Sequence, residues 1–296
     1  MILLTSKQQD EVVVLIGIGL VGGVILERLL KLGYQISAIT KVSWRDPDFF
    51  SKQFQFWFSK YLPFHVRKLD LIWSAGKTGF GSSEQDCVAE IAHFQAFILS
   101  AKSIESKYQV PFFVHYLSSA GALFEGQLRV DDFTVPRPMR PYGFAKLFQE
   151  SLLTSTFPKG YVVYRPSSIY GPSKNGTRVG LISRLLTCIY SFTEISIFGG
   201  MNTLRDFVWV YDVAEFISAQ VSTKAAIGGR LYHLVSGKPS SIFEVSQVVA
   251  KVSGKRMLFR VEKYDDDLSM SFSSCISCCR TTNLEYGIRS TFLRQF

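Results

Sequence analysis

The sequence predicts an α/β fold, a doubly wound parallel sheet with a smaller C-terminal lobe packed on it. Three observations carry that expectation. An apolar, β-branched run passes straight into a glycine turn, strand-like and helix-like segments alternate along the first half of the chain, and 296 residues at 47% hydrophobic content can bury a large core.

The run Val12-Val13-Val14-Leu15-Ile16 has no polar alternation, as expected of a strand buried on both faces of a parallel sheet. Gly17-x-Gly19-x-x-Gly22 follows at once, and then Val24, Ile25, Leu26, Leu29 and Leu30 at helical spacing. Strand, glycine turn and helix in that order form a dinucleotide-binding pattern. Gly17 makes the tight turn, Gly19 lets backbone approach a pyrophosphate, and Gly22 permits close helix packing. The amides of Leu20 and Val21 at the helix start then face the phosphates with positive potential.

Residues 35–40 read as the next strand. Its end normally carries an acidic residue for the adenosine ribose hydroxyls, but Thr40 and then Lys41 stand there. No carboxylate would repel a 2′-phosphate, and Lys41 or Arg45 could bind one, so both NAD and NADP are open as cofactors. Asp70-Leu71-Ile72-Trp73 is a further strand running into the small-residue turn Ser74-Ala75-Gly76, where a cofactor could lie against the backbone. Residues 86–103 read as a helix. Residues 111–117 read as the strand that delivers Ser118 and Ser119 at its carboxyl end, where ligands of open parallel sheets sit. Tyr161-Val162-Val163-Tyr164-Arg165-Pro166 is one more strand, and neither internal repeats nor low-complexity segments occur.

Charge and cysteine usage limit the function classes. A net charge of +9 favours an anionic ligand. The positive residues are scattered, without a basic run or an aromatic-basic signature, which argues against nucleic acid. The apolar stretch 12–26 is shorter than the ~20 residues of a membrane span and is broken by glycines. With neither a signal peptide nor a paired-cysteine framework, a cytoplasmic location is expected, with no membrane partner. Cys275, Cys278 and Cys279 without a nearby histidine make an incomplete zinc site, so no metal is expected.

Tyr142 and Lys146 supply the chemistry. At i and i+4 of a helix they share one face and can enter one pocket. A phenol titrates near 10, about three units above neutral pH, so using the phenolate costs about 4 kcal/mol. A cation ~4 Å away contributes a similar amount at an effective dielectric near 20.

Seven stretches together resemble the extended short-chain dehydrogenase/reductase family, in its NAD-dependent epimerase/dehydratase group acting on nucleotide sugars. They are the glycine turn, residues 71–76, residues 117–124, residues 142–146, Arg165-Pro166-Ser167-Ser168-Ile169-Tyr170-Gly171-Pro172, Arg205-Asp206-Phe207-Val208-Trp209-Val210-Tyr211-Asp212-Val213-Ala214, and Tyr232-His233-Leu234-Val235-Ser236-Gly237-Lys238-Pro239. The resemblance implies a Rossmann domain over residues 1–171. It implies a substrate-binding lobe over most of 172–296, with part of 205–236 returning to the core.

The resemblance also implies Tyr142 as acid/base, Lys146 as its electrostatic partner on the nicotinamide ribose, and Ser119 as hydrogen-bond donor to the reacting oxygen. Arg165, Pro166 and Ser168 join the cofactor site, Arg205 contacts a nucleotide diphosphate, and Lys77 lines the sugar site. Counted back from Leu123-Phe124, the usual hydroxyl position falls on Ala120. Gly121 and Ala122 replace the acidic pair of dehydrating relatives, which disfavours dehydration. A nucleotide-sugar epimerase working through a keto sugar is expected, with a 4-ketoreductase and a non-catalytic dinucleotide-binding protein as alternatives. Relatives commonly pair through the Tyr/Lys helix, which implies a homodimer. The segment containing Asp265-Asp266-Asp267 departs from the family pattern and leaves the sugar open.

Overall fold

Apolar runs and helix caps account for most of the element boundaries. The computed structural model describes residues 1–8, 10–63, 65–110, 112–172, 180–198, 200–222, 229–262, 268–276 and 279–296. Pro111, Cys278 and residues 265–267, singled out above, lie outside the described residues.

The elements, in chain order, are β1 (Ile2–Thr5), β2 (Glu11–Ile16), α1 (Leu20–Lys31), β3 (Gln35–Ile39), α2 (Pro47–Tyr61), β4 (Lys68–Trp73), α3 (Glu84–Tyr108), β5 (Phe112–Leu117), α4 (Ala120–Leu123), α5 (Pro141–Thr156), β6 (Tyr161–Pro166) and β7 (Ser168–Tyr170). Then come α6 (Leu181–Ser191), β8 (Ile195–Phe198), β9 (Leu204–Arg205), β10 (Phe207–Trp209), α7 (Val210–Ser222), β11 (Arg230–Leu234), β12 (Ser240–Ser241), α8 (Ile242–Ser253), β13 (Phe259–Glu262) and α9 (Leu284–Gln295). They form two compact units, one of residues 1–118, 138–164 and 217–232, the other of residues 119–137, 165–216 and 233–296.

The first unit is built on a seven-stranded sheet of order β11-β6-β5-β4-β2-β1-β3. Strands β2, β4, β5 and β6 run parallel, the arrangement that the unbroken apolar run of β2 anticipates. β1 runs against its neighbours on both sides. It pairs Ile2 with Leu15 of β2 and with Ile39 of β3, so β2 and β3 stand two strand positions apart. All four of its residues are buried. A hydrogen bond from Ser6 Oγ to Asp10, 2.8 Å, braces the connection to β2.

Helices cover the sheet through apolar faces. α2 starts at Asp46, whose carboxylate accepts from the amides of Asp48 and Phe49, and carries Pro47 in its first turn. Its Phe50, Phe54, Trp57 and Phe58 share one helical face and are buried with Trp73, Phe94, Phe97 and Tyr116. α3 opens on a reciprocal capping box between Ser83 and Asp86 and ends at Gln109 in the left-handed conformation. It packs against α5.

The second unit has its own core. Leu185, Leu186 and Ile189 of α6, Val245 and Val249 of α8, and Ile288 of α9 are buried with Ile195 and Ile197 of β8. Three two-stranded sheets, β10-β7, β12-β9 and β13-β8, complete it. Among the described residues no helix is long and apolar enough to cross a membrane.

Candidate active site

The glycine turn at the end of β2 has the shape a dinucleotide pyrophosphate requires. Gly17 has φ +94, and a Cβ there would lie 2.4 Å from the backbone nitrogen of Ala75. A Cβ on Gly22 would meet the Gly17 carbonyl oxygen at 2.0 Å. These two glycines are demanded by packing. Gly19 differs, because a Cβ there meets nothing within 4 Å. Backbone is therefore approachable at the start of α1, whose first-turn amides have no side-chain cap. Ser74 holds the turn from behind, its hydroxyl donating to the carbonyls of Gly17 at 2.6 Å and Ile16 at 3.1 Å. The donor set, shape and helix polarity fit a dinucleotide.

Thr40 follows β3 and is half-buried, its amide donating to the Met1 carbonyl at 3.0 Å. Lys41 and Lys77 are exposed. No acidic residue stands at the end of β3, in keeping with the sequence.

The spacing of Tyr142 and Lys146 predicts a shared helical face, and α5 provides it. Arg140 stands at its N-cap and Pro141 pre-sets its first turn. Both side chains are buried, at 8% and 4% exposure. The Lys146 ammonium lies 5.6 Å from the centre of the Tyr142 ring and 5.3 Å from that of Tyr116. Phe80 packs against Tyr142, with ring centres 6.0 Å apart. Tyr116 donates to Gln149 at 2.6 Å.

Glu90 of α3 completes this group, and sequence reasoning missed it. Its Oε1 is 3.4 Å from Lys146 Nζ, while Oε2 accepts the backbone amides of Lys77 at 2.9 Å and Thr78 at 3.0 Å. Burial works against the Glu90 charge, yet Lys146 and the two amides hold its carboxyl below the usual range. Burial likewise opposes the Lys146 charge, but Tyr116, Tyr142 and Glu90 hold the ammonium well above the ordinary lysine range. Both groups are ionised at neutral pH.

Ser118 and Ser119 have separate environments. Ser119 caps α4, its hydroxyl oxygen accepting the Ala122 amide at 3.2 Å. The buried Ser118 hydroxyl finds no hydrogen-bond partner among the described residues. Ala120, at the usual hydroxyl position, is fully buried.

Ser119, Arg165, Pro166, Ser168 and Arg205 belong to the second unit. Arg165 is buried, with its guanidinium 5.6 Å from the Phe124 ring centre. Burial, and then the Arg165 charge, pull His233 down to about 4. Arg205 donates to the Leu268 carbonyl. Its neighbour Asp206 is fully buried and accepts from Ser167 Oγ at 2.5 Å, the Ser236 amide at 2.8 Å and Ser236 Oγ at 2.7 Å. Asp206 is thus a clamp within this unit. Among the described residues no cluster of His, Cys, Asp and Glu could hold a metal ion.

A family model described as the NAD dependent epimerase/dehydratase family matches residues 13–234. The chain belongs to that family. Within it, a UDP-glucuronate 4-epimerase of Thermodesulfobacterium geofontis is 29% identical over 147 residues, 47% of this chain and 44% of that protein. A dTDP-L-rhamnose 4-epimerase of Burkholderia thailandensis is 30% identical over 127 residues, 40% of this chain and 34% of that protein. Each match spans half or less of the relative's length.

Two solved structures share the fold of this family member. The UDP-glucose 4-epimerase of Thermus thermophilus, in complex with NAD, superposes with a TM-score of 0.76 at 21% identity, covering 95% of this chain and 97% of that one. RMD of Pseudomonas aeruginosa, complexed with NADPH, gives a TM-score of 0.77 at 17% identity, covering 98% and 99%.

Proposed function

We propose that this family member is a nucleotide-sugar epimerase. The observation that carries the reading is the buried Tyr142–Lys146 pair, with its ammonium kept charged, in a unit whose Gly19 turn is open to a dinucleotide. The named relatives act on UDP- and dTDP-sugars, which supports a nucleotide-diphosphate sugar as substrate.

In this reading NAD or NADP, held by the residues named below, would supply reversible hydride acceptance, so that a sugar carbon could be oxidised to the keto level and reduced again on its other face. The chain's own residues bind, orient and move the proton. Gly17, Gly19, Leu20, Val21 and Gly22 hold the pyrophosphate, with Ser74, Ala75 and Gly76 beside it, Thr40 and Lys41 towards the adenosine, and Arg165, Pro166 and Ser168 completing the cofactor site. Tyr142 removes the proton from a sugar hydroxyl, Lys146 stabilises the phenolate, and Ser119 donates to the sugar oxygen. Arg205 pairs with the diphosphate, for which a guanidinium is suited, and Lys77 faces the sugar. The first unit serves mainly the cofactor and the second mainly the substrate.

Exposed Val88 and Leu99 on α3, and Phe144 and Phe148 on α5, at 52–58% exposure, support homodimer pairing through these helices, and the cytoplasm is the location this reading proposes. The exposed Lys41, with no carboxylate at the end of β3, favours a second reading, an NADP-dependent 4-ketoreductase. One assay separates the two. The protein is incubated with UDP-glucose, UDP-glucuronate or dTDP-sugars without added reductant, and products are identified by nuclear magnetic resonance. Epimer formed catalytically by the parent and not by Tyr142→Phe supports the epimerase. Stoichiometric consumption of reduced cofactor supports the reductase, and no product from either would sink both.

A further inference from the structure

Glu90 sets a carboxylate 3.4 Å from the lysine that the Tyr142 phenol would share. Its orientation does not depend on Lys146, because two backbone amides hold one carboxylate oxygen and leave the other for the ammonium. Gly76 allows the close approach, since a Cβ there would lie 3.1–3.4 Å from the Glu90 carboxylate atoms. The turn that follows β4 is thereby tied, through one side chain, to the lysine on α5. On the reading of Tyr142 and Lys146 as an acid/base pair, we propose that Glu90 is a positioning residue. It divides the Lys146 charge between itself and the Tyr142 phenol, and so sets the pH at which Tyr142 becomes a base.

The charge balance around Lys146 supports this. Among the described residues, Tyr142 on α5, Tyr116 on β5, and Glu90 and Cys87 on α3 are titratable groups that act on Lys146 or feel its charge, and Glu150 on α5 acts on Tyr116. Burial and then Lys146 act in opposite directions on Tyr116, whose phenol is held well above its ordinary range and so stays neutral. Glu90 is the ionised partner at contact distance. Its negative charge opposes formation of a second negative charge on Tyr142. A chain with a neutral residue there would ionise its tyrosine at lower pH.

The test compares the full chain with Glu90→Gln, Glu90→Asp and Tyr142→Phe, with and without saturating NAD or NADP. The ultraviolet phenolate signal that Tyr142→Phe abolishes is titrated against pH, alongside the pH–rate profile with a nucleotide sugar. In Glu90→Gln the midpoint of that signal falls by about one pH unit, as does the acidic limb of the rate profile, the lower end of what a nearby charge produces. Glu90→Asp, which draws the anion back by one methylene, shifts both in the same direction by less. A lower melting temperature in Glu90→Gln with an unmoved midpoint would show a mere brace and overturn the inference. Should Glu90→Gln fail to fold, an unmoved midpoint in Glu90→Asp overturns it equally. A shifted midpoint in protein that turns over no nucleotide sugar supports the role of Glu90 and removes the epimerase reading.

Discussion

Lys146 Nζ lies 3.4 Å from Glu90 Oε1, and the two side chains are only 5% and 10% exposed. Removing one partner of such a pair leaves the other ionised in a place water hardly reaches. Lys146→Met should therefore lower unfolding stability in urea by about 3 kcal/mol. The double variant Lys146→Met/Glu90→Gln should recover part of that loss, because no buried charge is left unpaired. Equal stability of the single and double variants would contradict the coupling.

The glycines of the first turn should fail in different ways. A methyl at Gly22 would lie 2.0 Å from the Gly17 carbonyl, so Gly22→Ala should lower the melting temperature and weaken dinucleotide binding together. Gly19→Ala meets no protein atom, so the melt should be unchanged while the dinucleotide Kd rises, on the order of tenfold or more, as the methyl enters the pyrophosphate's space. Calorimetry of binding and a thermal melt on each variant decide it.

His233 makes the second unit sensitive to acid. Its pKa is about 4 in the folded protein against an ordinary value of 6.5, because burial first and Arg165 second disfavour the cation. The unfolded chain binds the proton more readily. Its contribution is complete above pH 6.5 and is lost as pH falls towards 4, by up to about 3 kcal/mol. Urea titrations at stepped pH should show this slope in the parent and a flatter one in His233→Gln.

Asp206 joins β10 to the residues after β6 and β11 through three hydrogen bonds to one carboxylate. Asp206→Ala deprives the buried Ser167 hydroxyl and the half-buried Ser236 amide of their acceptor and should cost about 2 kcal/mol. Asp206→Asn, which keeps an acceptor, should lose less. Limited proteolysis between residues 165 and 240, faster in the alanine variant, is the direct readout.

Legibility of the chain followed how local each signal is. Residues 12–16, the glycine turn and the Tyr142–Lys146 spacing are local patterns, and β2, α1 and α5 form where they predict. The helix read over 86–103 runs from Glu84 to Tyr108, because the Ser83–Asp86 capping box extends its start and the left-handed Gln109 sets its end. Glu90 could not be found this way. It is one carboxylate on a long helix, and its meaning comes from the amides of Lys77 and Thr78, thirteen and twelve residues earlier. Asp206 was visible as part of a motif, but its partners Ser167 and Ser236 are brought to it by tertiary folding. Ile2-Leu3-Leu4 is a short apolar run whose place between β2 and β3 is set by pairing with the distant β3, so that position left no local trace.

That position gives the chain's first strand a protective role. With β1 in place, the facing sides of β2 and β3 are both satisfied along its whole length. Without it, β2 would become an edge strand of the seven-stranded sheet and β3 would lose its partner, each presenting a row of unpaired amides and carbonyls, a template on which another chain could add a strand. Four buried residues that carry none of the proposed chemistry thus stand between this sheet and aggregation.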